Sequence, residues 1–141
     1  MAPHPLARLE LNDVFLHQNT LLGEEGKGFA TAMATLDIFR PTVGAAALGF
    51  ARRALDEALR YSGTRKMYGQ SMQRMPVIRT RLGEMDLKVD SSALLVYRAA
   101  WAHDQGTGRA TRESSMAKLY ATESAQQVID AAVQLFGARG V

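Results

Sequence analysis

Apolar residues recur at helical spacing through most of this chain, in three stretches separated by glycine-containing breaks. Between about residues 28 and 61, Val43, Ala47, Phe50, Ala54, Ala58 and Tyr61 follow one another at steps of three and four, which predicts one buried helical face. Arg52, Arg53, Asp56, Glu57 and Arg60 lie mostly off that face, with Asp56 one turn before Arg60. Pro41 falls inside this stretch. It supplies no backbone donor, so it predicts a kink or the start of a second helix. Residues 62–75 hold two glycines and no sustained period, which reads as a loop. Pro76 suits the first position of the next helix. The stripe of that helix is Ile78, Leu82, Met85, Val89, Ala93, Val96 and Ala100, with Glu84 and Lys88 paired on the wet side. Residues 103–108 break the pattern. A third helix is predicted from about residue 111 to 136, with Thr111 as N-cap and Ala117, Tyr120, Ala121, Ser124, Val128, Ala131 and Leu135 inward.

The start of the chain differs. Across residues 6–15, Leu9 and Leu11 flank Glu10, an alternation that predicts a short strand. A lone strand cannot satisfy its own backbone groups, so its partners belong to a neighbouring chain or lie outside this sequence. Gly23, Gly26 and Gly28 then punctuate a loop. The expected fold is all-α, an up-down helical bundle of three long helices with a short N-terminal β-strand segment. A break at Pro41 would add a fourth segment.

Composition sharpens this picture. The 141 residues suffice for one domain with a core. Hydrophobic residues make up 47% of the chain, which argues against disorder. Cysteine is absent, excluding a disulfide scaffold, a thiolate-bound metal and a thiol nucleophile. No apolar run approaches the roughly 20 residues of a membrane span. The opening Met1-Ala2-Pro3-His4-Pro5 lacks the order of a signal peptide, so the expectation is a soluble, intracellular protein. The net charge of +3 is spread among interleaved acids, and no nucleic-acid binding is expected from it.

Chemistry-bearing motifs are few. His4, His17 and His103 lack metal-ligand spacing, are read as scattered surface residues, and predict no metal site. There is no nucleophile elbow and no Walker lysine. Glu24 and Glu25 inside the loop bounded by Gly23 and Gly28 would repel a phosphate. Two segments stand out. Arg65-Lys66-Met67-Tyr68-Gly69 places two cations and an aromatic after a long helix. It suits a diphosphate beside a planar ring, or a solvated helix end. Gln134-Leu135-Phe136-Gly137-Ala138-Arg139-Gly140 ends a helix in a small turn, either open to an anion or an ordinary glycine cap. Residue chemistry alone leaves both pairs of alternatives open.

The order of segments adds a resemblance. Asn19-Thr20-Leu21-Leu22-Gly23-Glu24-Glu25-Gly26-Lys27-Gly28-Phe29 resembles the opening of the C-terminal helical domain of acyl-CoA dehydrogenases. Leu36-Asp37-Ile38-Phe39-Arg40 resembles the "D-x-x-R" of its first helix, and residues 49–58 look like the stretch that follows. Arg65-Lys66-Met67-Tyr68-Gly69 is similar to the "R-x-x-F-G" loop, and residues 134–140 to "Q-x-x-G-G-x-G". The motifs fall in the family's order across residues 6–140.

The resemblance implies that residues 1–25 are the end of a middle β domain plus linker, and residues 26–141 a helical bundle shortened at its C-terminal end. It implies a piece of an FAD-dependent enzyme that dehydrogenates acyl-CoA at the α and β carbons, in the cytoplasm or the mitochondrial matrix. Such enzymes form homodimers or homotetramers and pass electrons to electron-transfer flavoprotein. By position, Arg65, Met67, Tyr68, Gln134, Leu135, Phe136, Gly137 and Ala138 would bind FAD of a neighbouring subunit, and Asp37 and Arg40 would face substrate or else pair with each other one turn apart. Ala138 replaces the second glycine of the turn, Pro76 stands where many members carry a glutamine, and His17 follows Leu16 where the family often has Val-Pro. The family's catalytic glutamate lies in a downstream "Y-E-G" or, in a minority, at the position of Phe39. This chain therefore supplies no catalytic residue by resemblance, and the polypeptide alone is expected to be inactive. The rival expectation is a catalytically dead helical module that self-associates.

Overall fold

A computed structural model describes residues 6–106 and 108–141; residues 1–5, with His4 and the stretch weighed as a leader, lie outside them. Three helices dominate: α1 (Gly28–Thr64), α2 (Pro76–Asp104) and α3 (Thr111–Phe136). They run up, down and up, so α1 and α3 are parallel and pack along their lengths, with α2 against both. The expected all-α bundle is present. Pro76 opens α2 at its first turn, where its missing donor costs nothing.

The predicted strand does not form. Residues 6–15 carry no strand pairing, and Leu6, Leu9 and Leu11 are exposed; the alternation is present but has no ladder partner. Conversely, residues 62–75 are not a plain loop. Strands β1 (Lys66–Met67) and β2 (Gln70–Ser71) form a small antiparallel hairpin, with Lys66 opposite Ser71 and Met67 opposite Gln70. Its two-residue turn, Tyr68 and Gly69, has positive φ at both positions (50° and 78°), as a type I′ turn requires.

Pro41 neither breaks α1 nor starts a new helix. Its missing N–H leaves the carbonyl of Asp37, four residues earlier, without its helical donor. That carbonyl finds replacements from other elements. The Ser114 hydroxyl donates to it from α3 at 2.8 Å, and His103 Nε2 lies 3.0 Å away at the end of α2. His103 is therefore a half-buried structural group rather than a surface histidine, while His17 does stay exposed, bonded to Asn19.

The inward face of α1 also differs from the predicted one. The buried residues are Asp37, Pro41, Gly44, Leu48, Ala51, Leu55, Ala58 and Ser62, a strict alternation of four and three that keeps one seam against a partner helix. Val43 and Phe50 instead face outward, Phe50 at 66% exposure. Small residues carry the seam because the helices approach closely; a methyl at Gly44 would sit 3.2 Å from the Ala117 carbonyl of α3. On α2, Ala99 rather than Ala100 is buried, and on α3 Tyr120 is exposed. Met85 and Val128 are the largest fully buried apolar side chains of the core. The N-cap of α3 is Ala110, not Thr111, whose hydroxyl is used elsewhere.

If the α3 hydroxyl repairs the proline gap, Ser114→Ala should cost about 1 kcal/mol. The cost should fall by at least half in a Pro41→Ala background, where residue 41 regains an N–H for the Asp37 carbonyl. Urea denaturation of the four proteins measures this coupling; equal costs in both backgrounds would refute the repair.

A candidate nucleotide-binding groove at one pole of the bundle

Because α1 and α3 are parallel, their C-terminal ends meet at one pole. Tyr61 of α1 stacks on Phe136 of α3, with ring centroids 4.4 Å apart and planes inclined by 17°. Beside this pair opens a groove of about 420 Å³, lined by Tyr61 and Arg65, by Met67 and Met72, and by residues 134–139 of the α3 terminus and its following turn. The two segments singled out in the sequence, 70 residues apart, thus line one groove within a single chain.

The backbone on each side is held firmly. Arg65 follows the last residue of α1; its N–H donates to the Tyr61 carbonyl at 2.8 Å, and its own carbonyl accepts from Met72 N at 2.8 Å. The Ser71 hydroxyl lies 3.1 Å from the carbonyls of both Ser62 and Gly63. Arg65 therefore leaves a rigid base with a free guanidinium. Opposite it, Gly137 stops α3 at φ 59°, ψ −135°, a conformation that excludes a side chain. A 3-10 turn (Gly137–Arg139) follows. Gly140 packs onto α3, where an added Cβ would lie 2.7 Å from the Val133 carbonyl.

Of the residues expected at a cofactor, Arg65, Met67, Gln134, Leu135, Phe136, Gly137 and Ala138 line this groove, and Tyr68 does not. Tyr68 sits at the hairpin tip, 87% exposed. Arg139, Met72 and the Tyr61–Phe136 stack join the expected residues at the site. Arg139 was visible inside the glycine-turn motif, but its aim depended on the turn. No sequence signal marks the stack.

The pole is positively charged. Residues 58–83 contain six Lys or Arg and no Asp or Glu, and the last eleven residues add Arg139 without an acid. Among the described residues, no carboxylate pairs with Arg65 or Arg139. Glu57, which borders an adjoining hollow with Arg139, is engaged by Arg60 and by Arg53, and the Arg60 hydrogen bond in particular holds its carboxyl below the ordinary range. Such a groove, with free guanidiniums and an aromatic wall, fits a diphosphate attached to a ring system.

Asp37 and Arg40 lie at the opposite pole. From Asp37 to Arg65 along α1 is about 40 Å at helical rise. The Asp37 side chain is not open to a ligand; the residue is 3% exposed. Its Oδ2 accepts from Thr111 Oγ1 at 2.7 Å and from Arg109 Nε at 2.9 Å. Burial thus corrects the expectation of a substrate-facing carboxylate. Oδ1 has no hydrogen-bond partner, and Arg40 Nη1 stands 3.8 Å from it. Arg40 is part-exposed and also donates to the Ser115 hydroxyl at 3.1 Å. Among the described residues there is no cluster of metal-ligating side chains, and no helix is long and apolar enough to cross a membrane.

The Thr111 hydroxyl first, and then the Arg109 guanidinium, hold the Asp37 carboxyl below its ordinary value near 3.8, against the opposing effect of burial. Since folding lowers this pKa, the stabilisation is complete above the unfolded value and drains away as pH falls through the folded one. The stability gap between the parent chain and Asp37→Asn should therefore be widest above about pH 5 and shrink below about pH 4. Urea midpoints across pH 2.5–7, roughly the span of carboxylate titration, provide the check, and a gap independent of pH would sink it.

Residues 26–141 match the family description "Acyl-CoA dehydrogenase, C-terminal domain". The chain is 41% identical over 136 residues to 3-(aryl)acrylate reductase of Clostridium sporogenes, covering 96% of this chain and 36% of that protein. The solved butyryl-CoA dehydrogenase of Megasphaera elsdenii superposes with a TM-score of 0.81 at 40% identity, over 84% of this chain and 30% of that one. PigA, solved with FAD and proline, superposes at 0.87 and 31% identity, over 92% and 34%. The chain thus spans about a third of the curated relatives it matches.

Proposed function

This chain belongs to the acyl-CoA dehydrogenase family, and from that premise we propose that it is the FAD-binding helical portion of an enzyme that dehydrogenates acyl-CoA thioesters. The observation that carries the proposal is the groove that unites Arg65 with residues 134–138. FAD, when bound, supplies the two-electron acceptor. Arg65 would grip its diphosphate, with Met67 against its apolar parts and Gln134 and the turn backbone beside its adenosine end. Tyr68, exposed at the hairpin tip, would reach a flavin only across a subunit boundary. Residues 1–25 would belong to a β domain, in which the alternation at residues 6–15 would find strand partners.

The separation of the poles favours an assembly. A flavin and its substrate meet face to face, yet the groove and Arg40 stand at opposite ends of α1. Each copy would then lend its groove to the cofactor of a neighbour, in a homodimer or homotetramer. Arg40 would orient the substrate, while Asp37 holds Arg40's helix in place. Phe39, at the position of the minority base, cannot take a proton, so the catalytic carboxylate would come from outside these 141 residues. Electron-transfer flavoprotein would accept the electrons from the complete enzyme.

A second reading, a self-associating helical module without catalysis, is favoured by the outer surface. Phe29, Leu36, Val43 and Phe50 recur every seven residues along α1, and Leu87, Leu94 and Trp101 along α2, all exposed. Stripes of this extent are normally covered.

Purification with a visible spectrum and a dye-reduction assay decides between the readings. The expected outcome is flavin absorbance that travels with the protein after FAD is added, with no acyl-CoA-dependent dye reduction. Turnover by the 141-residue polypeptide would overturn the assignment of the base elsewhere. A colourless dimer or tetramer that ignores FAD would replace the flavin reading with the module.

A further inference from the structure

We infer that Arg139 is a second phosphate-binding residue, closing with Arg65 a two-guanidinium clamp on the diphosphate of the nucleotide in the groove. This rests on the flavin reading and extends it to a residue that the glycine-turn resemblance leaves unassigned.

Helix ends at the groove work against the cations that line it. Two long helices, α1 and α3, end here with their carbonyls outward, while α2 begins here with its N–H groups outward. Each C-terminus carries an effective charge of roughly −0.5. The α2 N-terminus returns about half a charge, but the α1 and α3 C-termini are the ends that line the groove, so they weaken the hold of Arg65 on an anion there. This is the reverse of a helix N-terminus, where the backbone itself attracts phosphate.

Arg139 supplies a second cation within the groove itself. It lines the groove from the 3-10 turn on the side of α3 while Arg65 lines it from the end of α1. Among the described residues neither side chain makes a hydrogen bond or an ion pair, although nearby Arg53 and Arg60 are both committed to Glu57. Arg139 also borders the adjoining hollow toward Ala54 and Glu57, so its side chain has room to swing across the groove mouth. A diphosphate diester carries one charge on each phosphoryl group, and each planar guanidinium can take two oxygens of one group. Two forks therefore match a diphosphate, whereas a monophosphate engages one.

The test titrates FAD, ADP and AMP into the 141-residue chain by calorimetry, with parent, Arg139→Ala, Arg139→Lys and Arg65→Ala proteins. Arg139 is exposed, and far-UV circular dichroism should show each variant folded. Arg139→Ala should weaken FAD and ADP about tenfold, the loss of one charge-assisted contact, and AMP clearly less. Arg139→Lys should fall between. Unchanged FAD and ADP affinities in Arg139→Ala, beside a loss in Arg65→Ala, would overturn the clamp and leave the flavin reading standing. Equal weakening of all three nucleotides would also overturn it, showing only general charge attraction. Affinities indifferent to both arginines, or no binding of FAD or ADP at all, would remove the flavin reading and the clamp together.

Discussion

The structure turns on a single backbone carbonyl. Proline at position 41 strips the Asp37 carbonyl of its helical partner, and the vacancy is filled from α2 and α3 by His103 and Ser114. The Asp37 carboxylate is gripped at the same place by Thr111 and Arg109. A buried polar group without partners costs about 1–3 kcal/mol, so this node sets both the rotation of α1 and its height against α3. From there the helices run as parallel rods. Asp37 to Tyr61 spans about 36 Å and Ser114 to Phe136 about 33 Å at helical rise. Rods of nearly equal length pinned at one end must meet at the other, where Tyr61 stacks on Phe136.

Small residues make this transmission possible. Gly44, Ala51, Ala58, Ala117 and Ala121 lie in or beside the α1–α3 seam, letting the backbones approach until a single added methyl would press on a carbonyl. Close approach leaves little freedom for one helix to slide along the other. The larger apolar side chains are displaced to the outside, where they form stripes suited to other domains or other copies. Alanines share the interior with Leu48, Leu55 and Met85, while phenylalanines and leucines form the exposed stripes.

That displacement also explains what could be read in advance. Helix number, the bounds of α2 and α3 within a residue or two, and the role of Pro76 followed from periodicity and proline chemistry. The face of α1 did not. Val43 and Phe50 read as core because they are apolar at helical spacing, whereas Gly44 and Ser62 carry almost no hydrophobic signal yet are buried. The hairpin at Lys66–Ser71 was missed because strands of two residues have no period to detect. Asp37 was placed toward substrate by resemblance alone, and the partners that bury it, Arg109 and Thr111, lie some seventy residues away.

The sequence by itself determined local matters: three helices, the seven-residue order along them, a turn that only glycine can make at position 137, and a stretch of cations free of acids. Those follow from backbone sterics and from charge, which need no distant partner. Tertiary structure alone decided which face of α1 turns inward, how the gap at Pro41 is closed, and that Arg65, Arg139 and the glycine turn share one groove. These depend on contacts between residues far apart in the chain, where close packing rather than hydrophobicity selects the outcome.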